Sequence, residues 1–435
     1  MSLVSKGKII SDLIGIFLFC APLSVCTIVL PNVSSFCLLS IFVGLLVLYG
    51  RTYGLKFFSR NNGYQRNVIL FFFFPIVLSI AWSCFILGIV NDVDYYSYFS
   101  SDLISRILNI TVLFGVFIFS SSFLSRKHSE AQAYKYIRAY SYGVLIILGL
   151  FGVWQILSTT LGIWCPDIQT RSHMYFARES GLSRITSLAD EPSFLVPFLF
   201  DSILLFLFIR KIYIPILLGI IVLFSFSFAG YVEFTVLLCV TIMLSRKNTK
   251  IKIVSGLLGL IVTVCLLFPD IPILAGELLA SRKELQAGFK AEDTWRTMSY
   301  IYPIKSFLHS DPLTMLFGHG PASFKYLMRT VELDDMFTSS NNLFIDMLYE
   351  GGLISVGGFV FLMFYLWKKI CASRTEDNCF QITVFKLFLI HIILTSCYRG
   401  DYASVRFISL FIVMQCLFIS ISNSKICYNT YSVLR

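Results

Sequence analysis

Charge is scarce in this chain: Asp, Glu, Lys and Arg make up 14% of its 435 residues, and hydrophobic residues make up 57%. A water-soluble domain covers its surface with roughly a quarter charged residues, so a freely soluble globular protein is excluded. Cysteine occurs twelve times but never as CxxC. Ten of them sit in apolar runs or at their cytoplasmic ends, leaving only Cys165 clearly in an exported loop and Cys397 at a membrane boundary, so neither a disulfide framework nor a thiolate metal site is implied. The five histidines are scattered, and His309 and His319 are too far apart for a helical ligand pair. A Gly-rich phosphate loop is lacking, which removes ATP from the expected cofactors. Internal repeats are not evident either; the run Phe71–Phe74 needs only a lipid-facing helix to explain it.

What the chain has is apolar runs. A helix needs about 20 apolar residues to cross a hydrocarbon core of about 30 Å. Runs of that kind between Lys/Arg clusters predict twelve spans, near 9–30, 33–50, 67–90, 103–123, 139–158, 191–209, 212–229, 231–245, 253–268, 348–367, 381–397 and 404–422. The seventh and eighth share the short stretch between Lys211 and Arg246, where basic flanks on both sides favour an even number of crossings. The first span carries no small-residue cleavage site and is expected to be retained. Both termini are then cytoplasmic, and the cytoplasmic segments hold 21 Lys/Arg against four acids. The formal net charge of +10 thus follows the positive-inside rule and does not indicate a nucleic-acid partner.

The division that follows is 1–268, nine helices with a smaller exported loop at 159–190; 269–340, a large exported loop; and 341–435, three further helices. The large loop has nearly balanced charge, so an anion site there must be built from selected residues. Leu278, Leu279, Leu285 and Phe289 fall near helical spacing, and Pro272, Pro303, Pro312 and Pro321 break the pattern, which predicts a largely helical cap.

Three stretches carry most of the functional signal. In Ser183–Ser193, a basic loop runs into Asp190, Glu191 and Pro192 at the mouth of span six. An acid before a proline suits a helix N-terminus; the alternative is a carboxylate that serves as a base in a cleft, with Arg184 meeting an anion. The second combines Trp295-Arg296, Gly318-His319-Gly320 and the re-entry Ser340–Gly352, where His319 reads as a turn residue or a catalyst and the glycines as close helix packing. The third is Tyr398-Arg399-Gly400-Asp401-Tyr402, with Arg406 just inside; Arg399 and Asp401 form either a local salt bridge or part of a site. Within the spans, Asp201, Lys386 and His391 are ionisable groups in hydrocarbon, which points to a lined cavity or a buried pair.

The layout and these motifs resemble the O-antigen polymerases of Gram-negative bacteria, the Wzy-type family, and more loosely the O-antigen ligases. The resemblance rests on Arg184 with Glu191-Pro192-Ser193, on Gly318-His319-Gly320, and on Asn342 with Leu348 and Glu350-Gly351-Gly352. Ligases place a histidine beside the asparagine at the re-entry; here Asn341 stands there, which favours a polymerase. The resemblance implies an all-α integral membrane protein with a fold like that of the C-type glycosyltransferases. It also implies an inner-membrane enzyme that transfers a glycan from undecaprenyl pyrophosphate to a lipid-linked repeat unit at the periplasmic face. A chain-length regulator is the protein partner it implies, with membrane lipid around the spans. Such a reaction needs cations for the developing pyrophosphate charge and a base for the acceptor hydroxyl. Arginine suits the first role through its planar, permanently charged fork. The expected substrate-binding residues are Arg184, Arg296, Arg399 and Asn342, and the expected catalytic ones Glu191, Asp401 and His319; no metal or other cofactor is expected. A ligase, or a flippase or other transporter, is the alternative.

Overall fold

The computed structural model describes residues 3–54, 63–89, 93–127, 129–166, 185–244, 295–330, 339–373 and 378–432. Among the described residues the chain is helical throughout, with no strand. Eight helices are long and apolar enough to cross a membrane, which makes this an α-helical multi-pass membrane protein. They are α1 (Leu3–Cys20), α2 (Val33–Tyr53), α3 (Gly63–Leu87), α4 (Tyr95–Arg126), α5 (Glu130–Leu161), α12 (Leu343–Ala372), α13 (Cys379–Tyr398) and α14 (Val405–Ser432). Three shorter apolar helices, α6 (Pro192–Phe208), α7 (Tyr213–Phe224) and α8 (Phe228–Leu244), lie where the sixth to eighth spans are expected. The ninth expected span, 253–268, lies outside the described residues, as do Leu278, Leu279, Leu285 and Phe289 of the large loop.

Burial sorts these helices. In α14, 89% of the spanning window is buried, against 22% in α2, so α14 is the axis of the bundle and α2 presents Phe36, Leu39 and Val43 outward. That outward face suits lipid, which accepts apolar side chains at no cost. Around α14 stand α4 and α5; α6 packs on α5, α7 and α13, and α12 packs on α3 and α13. Phe72, Phe359, Phe407 and Phe411, from α3, α12 and α14, interlock by edge, stacked and tilted contacts at the centre.

The described part of the large loop is helical too: α9 (Trp295–Leu308), α10 (Pro312–Phe317) and α11 (Ser323–Thr330). All three pack on α12. Asp311 caps α10, and the hydrogen bonds it accepts from Thr314 and Leu313 hold its carboxyl below the usual range.

A joint of glycines seats this cap. Helix α12 breaks at Gly352, where φ is 68° and ψ is −173°. The break interrupts the helical ladder, and the loop supplies what the ladder lacks: His319 N–H donates to the Tyr349 carbonyl at 2.9 Å, and Gly320 N–H to the Glu350 carbonyl at 2.9 Å. The approach is so close that a Cβ on Gly318 would lie 2.3 Å from the Glu350 carbonyl oxygen, and one on Gly352 would lie 2.3 Å from that of Leu316. The two glycine motifs, distant in sequence, are the two halves of one contact.

Candidate functional site

A cavity of about 540 Å³ opens at one end of the bundle, within the range of roughly 300–1,000 Å³ usual for small-molecule sites. Its walls come from the turn after α1 (Ser24, Val25, Thr27), the starts of α2 and α6, Asn109 of α4, Ser299 of α9, the approach to α12 (Ser339, Asn341), and the segment Arg399–Phe407. Helix by helix, the basic residues Arg51, Arg66, Arg126, Arg210 and Lys369 sit at the opposite ends. The cavity therefore lies at the end of the bundle away from the positive clusters.

The segment that carries Glu191 is tied down on three sides. Ile185 N–H donates to the Phe224 carbonyl at 3.2 Å, and Ser187, in a left-handed conformation with φ 56°, bonds Gln155 and the Leu148 carbonyl on α5. Asp190 accepts from the Ile28 N–H at 2.8 Å and from the Thr27 hydroxyl. Asp190 is thus an anchor to the α1–α2 turn. Glu191 follows in extended conformation at the N-cap position of α6, yet its side chain makes no capping bond to the helix. One oxygen accepts from the Ser193 hydroxyl at 3.1 Å, and among the described residues no cation pairs with it. The carboxylate lines the cavity.

Arg399, Gly400 and Asp401 line the cavity as well. Arg399 donates to the Asn341 side-chain oxygen, and its guanidinium lies over the Phe194 ring of α6. The Arg399–Asp401 pair left open by the sequence is not formed: Asp401 is gripped through both oxygens by Arg106 of α4, and also accepts from the Ala403 N–H at 2.9 Å. Next along the turn, Tyr402 is buried against Arg106 and donates to Glu350 of α12; burial and that carboxylate push its phenol well above the usual range. Gly400 leaves room for Leu343, which a Cβ would meet at 2.4 Å.

Beneath the wall runs a row of buried ionisable groups. Arg406 of α14 donates through Nε and Nη2 to Asp201 of α6, at 2.7 and 2.9 Å. Asp201 also accepts from Tyr140 at 2.7 Å and contacts His391 Nε2 at 2.8 Å. The other ring nitrogen of His391 meets Glu233 of α8, which also accepts from Tyr398 at 2.5 Å. Lys386 takes no part; its ammonium lies 5.3 Å from the centre of the Trp367 ring.

The structure thus brings Glu191, Arg399 and Asp401 of the sequence-derived residues into one cavity. Asn342 is adjacent but spends its side-chain oxygen capping α12, accepting from the Phe344 and Ile345 N–H groups, while Asn341, at φ 61°, lines the cavity. His319 lies in the glycine joint, outside the cavity lining. It stacks on Tyr349, its Nε2 is 2.8 Å from the Ser310 hydroxyl, and burial lowers its pKa to about 4. Arg184 lies outside the described residues, and so does the side chain of Arg296, though its backbone is in α9. Sequence reasoning passed over Arg106, whose only signal was a cation at the apolar edge of a span, and Glu233, an acid in an otherwise apolar helix. Among the described residues no group of three or more His, Cys, Asp or Glu could hold a metal ion. No family model matches this chain, and no curated protein matches it as a relative.

Proposed function

We propose that this protein is a membrane glycosyltransferase of the O-antigen polymerase kind. The growing glycan passes from undecaprenyl pyrophosphate to a lipid-linked repeat unit at the periplasmic face of the bacterial inner membrane. The observation that carries this reading is one cavity lined both by an acid without an ion-pair partner among the described residues, Glu191, and by the guanidinium-bearing segment Arg399–Arg406. In the transfer, an acceptor hydroxyl attacks the anomeric carbon of the donor glycan. The bond from that carbon to the pyrophosphate oxygen breaks, its electron pair leaves with the lipid pyrophosphate, and the hydroxyl proton goes to Glu191. Arg399 offers charge to the leaving group, and Arg184 and Arg296 are proposed to join it. Serine hydroxyls and the amides of Asn109 and Asn341 around the same cavity suit a polyhydroxylated sugar.

The proposed topology has twelve crossings with cytoplasmic termini and the 269–340 loop in the periplasm, a fold like that of the C-type glycosyltransferases, and a chain-length regulator as partner. Alkaline phosphatase fused after Gln169 or Gly288 is expected to be active, and after Lys127 or Lys250 silent. Function is tested by deleting the gene and resolving the lipopolysaccharide on a gel: a polymerase null leaves core bearing one repeat unit. A second reading, a proton-coupled carrier of lipid-linked oligosaccharide, draws on the buried row of Asp201, His391 and Glu233. Its null leaves bare core with no polymer on the lipid carrier, whereas a ligase null leaves bare core with polymer accumulated there.

A further inference from the structure

The row beneath the cavity has an order that packing alone does not require. Arg406, Asp201, His391 and Glu233 alternate in sign, each is nine-tenths or more buried, and of the four only Arg406 lines the cavity. A neutral imidazole has one N–H to give, so carboxylates on both nitrogens of His391 require a further proton in the row. With that proton the four groups sum to zero charge and satisfy one another. The 3.1 Å approach of Arg406 Nη2 to His391 Nε2 is that of two donors converging on the same Asp201 oxygen. Asp201 thus receives four donors, from Arg406 twice, His391 and Tyr140, so its charge is shared and does not belong to Arg406 alone. Nε and Nη2 of Arg406 are committed to Asp201, with Nη2 also near the Pro197 carbonyl at 3.5 Å. Nη1 has no hydrogen-bond partner among the described residues, and it is not one of the buried atoms left unpaired, so it is the edge open to the cavity.

We propose that Arg406 is a substrate-binding residue, offering Nη1 at the floor of the cavity to an anionic phosphoryl oxygen, and that Asp201, His391 and Glu233 are the positioning residues that fix its fork. An arginine held by two parallel bonds to a carboxylate cannot swing, so its remaining donor points one way before any ligand arrives. That the phosphoryl group belongs to a lipid pyrophosphate rests on the reading given above; that an anion binds Arg406 does not. A purely structural role for the row predicts that removing both members of a pair is harmless, since a buried ion pair is often replaceable by neutral groups.

The test uses the full-length protein in detergent, with inorganic pyrophosphate as probe and its stabilisation of thermal unfolding as readout, alongside lipopolysaccharide ladders in cells. Asp201→Asn with Arg406→Gln removes one charge of each sign. This double variant is expected to keep wild-type membrane levels, to lose the pyrophosphate-induced shift, and to lose polymer at least tenfold. Should it fail to insert, Arg406→Lys serves instead: it keeps the charge and one bond to Asp201 but has no second edge, and the same losses are expected. His391→Asn is expected to raise the pyrophosphate concentration at half-maximal shift at least threefold. Wild-type shifts and ladders in the Arg406 variants, or a wild-type protein that pyrophosphate does not stabilise, overturn the inference, and an unchanged midpoint in His391→Asn overturns its positioning half. If deleting the gene leaves lipopolysaccharide unaltered while the pyrophosphate shift depends on Arg406, the polymerase reading fails and the anion site stands.

Discussion

Two carboxylates line the same cavity, and they are in unlike states. Asp401, on the turn between α13 and α14, has both oxygens occupied by Arg106 and a third bond from its own backbone neighbourhood. Glu191, at the entrance to α6, accepts a single serine hydroxyl. A carboxylate whose lone pairs are filled by a guanidinium has little left to offer a ligand; one with open lone pairs can still accept a hydrogen bond. On the proposed reading, Asp401 holds the turn in place and Glu191 is the carboxylate left open to an acceptor hydroxyl. Glu191 sits at an N-cap without capping, so its side chain is not turned back onto its own helix.

The largest effect that can break this contrast is Glu191→Gln. Losing a general base typically costs 10²–10⁴-fold, so ladders should disappear while membrane-inserted protein stays at the wild-type level, as measured by immunoblot of washed membranes. If activity instead tracks protein amount, Glu191 is a helix-end residue after all and the contrast collapses. Gly352→Ala tests the structural side. A side chain at φ 68° meeting the Leu316 carbonyl should cost about 3 kcal/mol or more, read as a sharp loss of folded protein with unchanged activity per folded molecule. Arg106→Lys is expected to do less, roughly a threefold to tenfold drop in polymer, because one ammonium replaces a two-pronged grip on Asp401. If it equals Glu191→Gln in severity, the turn has a chemical part as well.

The smallest effect concerns His319. Its folded pKa of about 4 lies below the ordinary value of 6.5, so between those values the unfolded chain binds the extra proton and the folded one does not. The stability tied to this ring is fully present above pH 6.5 and is lost as pH falls toward 4. Thermal unfolding of His319→Asn should show a shallower decline than wild type over that window and no difference in shape above it. A parallel decline in the two proteins would remove the ring from the account.

Much of the frame is legible from hydrophobic run length, because each apolar run between basic clusters has one low-energy solution in lipid. The paired short helices α7 and α8 follow from basic flanks at Lys211 and Arg246. Other features turn on single backbone angles or on tertiary partners. Asn341 and Asn342 are one residue apart, yet only the second has the extended conformation of a cap and only the first the positive φ that turns it into the cavity. Periodicity does not distinguish them. Nor does sequence say that Asp201 would meet Arg406 and His391 and not Lys386, since three helices of unknown rotation had to be placed first. Arg106 was hidden for the same reason: it sits in a long apolar helix, and only the arrival of Asp401 gives its charge a purpose.

The break at Gly352 has a further consequence, one of length. At 1.5 Å per residue the 30 residues of α12 would measure about 45 Å if straight, well over the hydrocarbon thickness of about 30 Å. The part beyond Gly352, from Leu353 to Ala372, is about 30 Å long by the same rise and crosses unaided. The leading part, with Asp346 and Glu350, is surplus to that length, and the break at Gly352 releases it from the line of the crossing. Both acids are kept among Ser340, Tyr402 and the loop amides that satisfy them, so the excess length of the helix carries polar groups that a straight apolar crossing has no partners for.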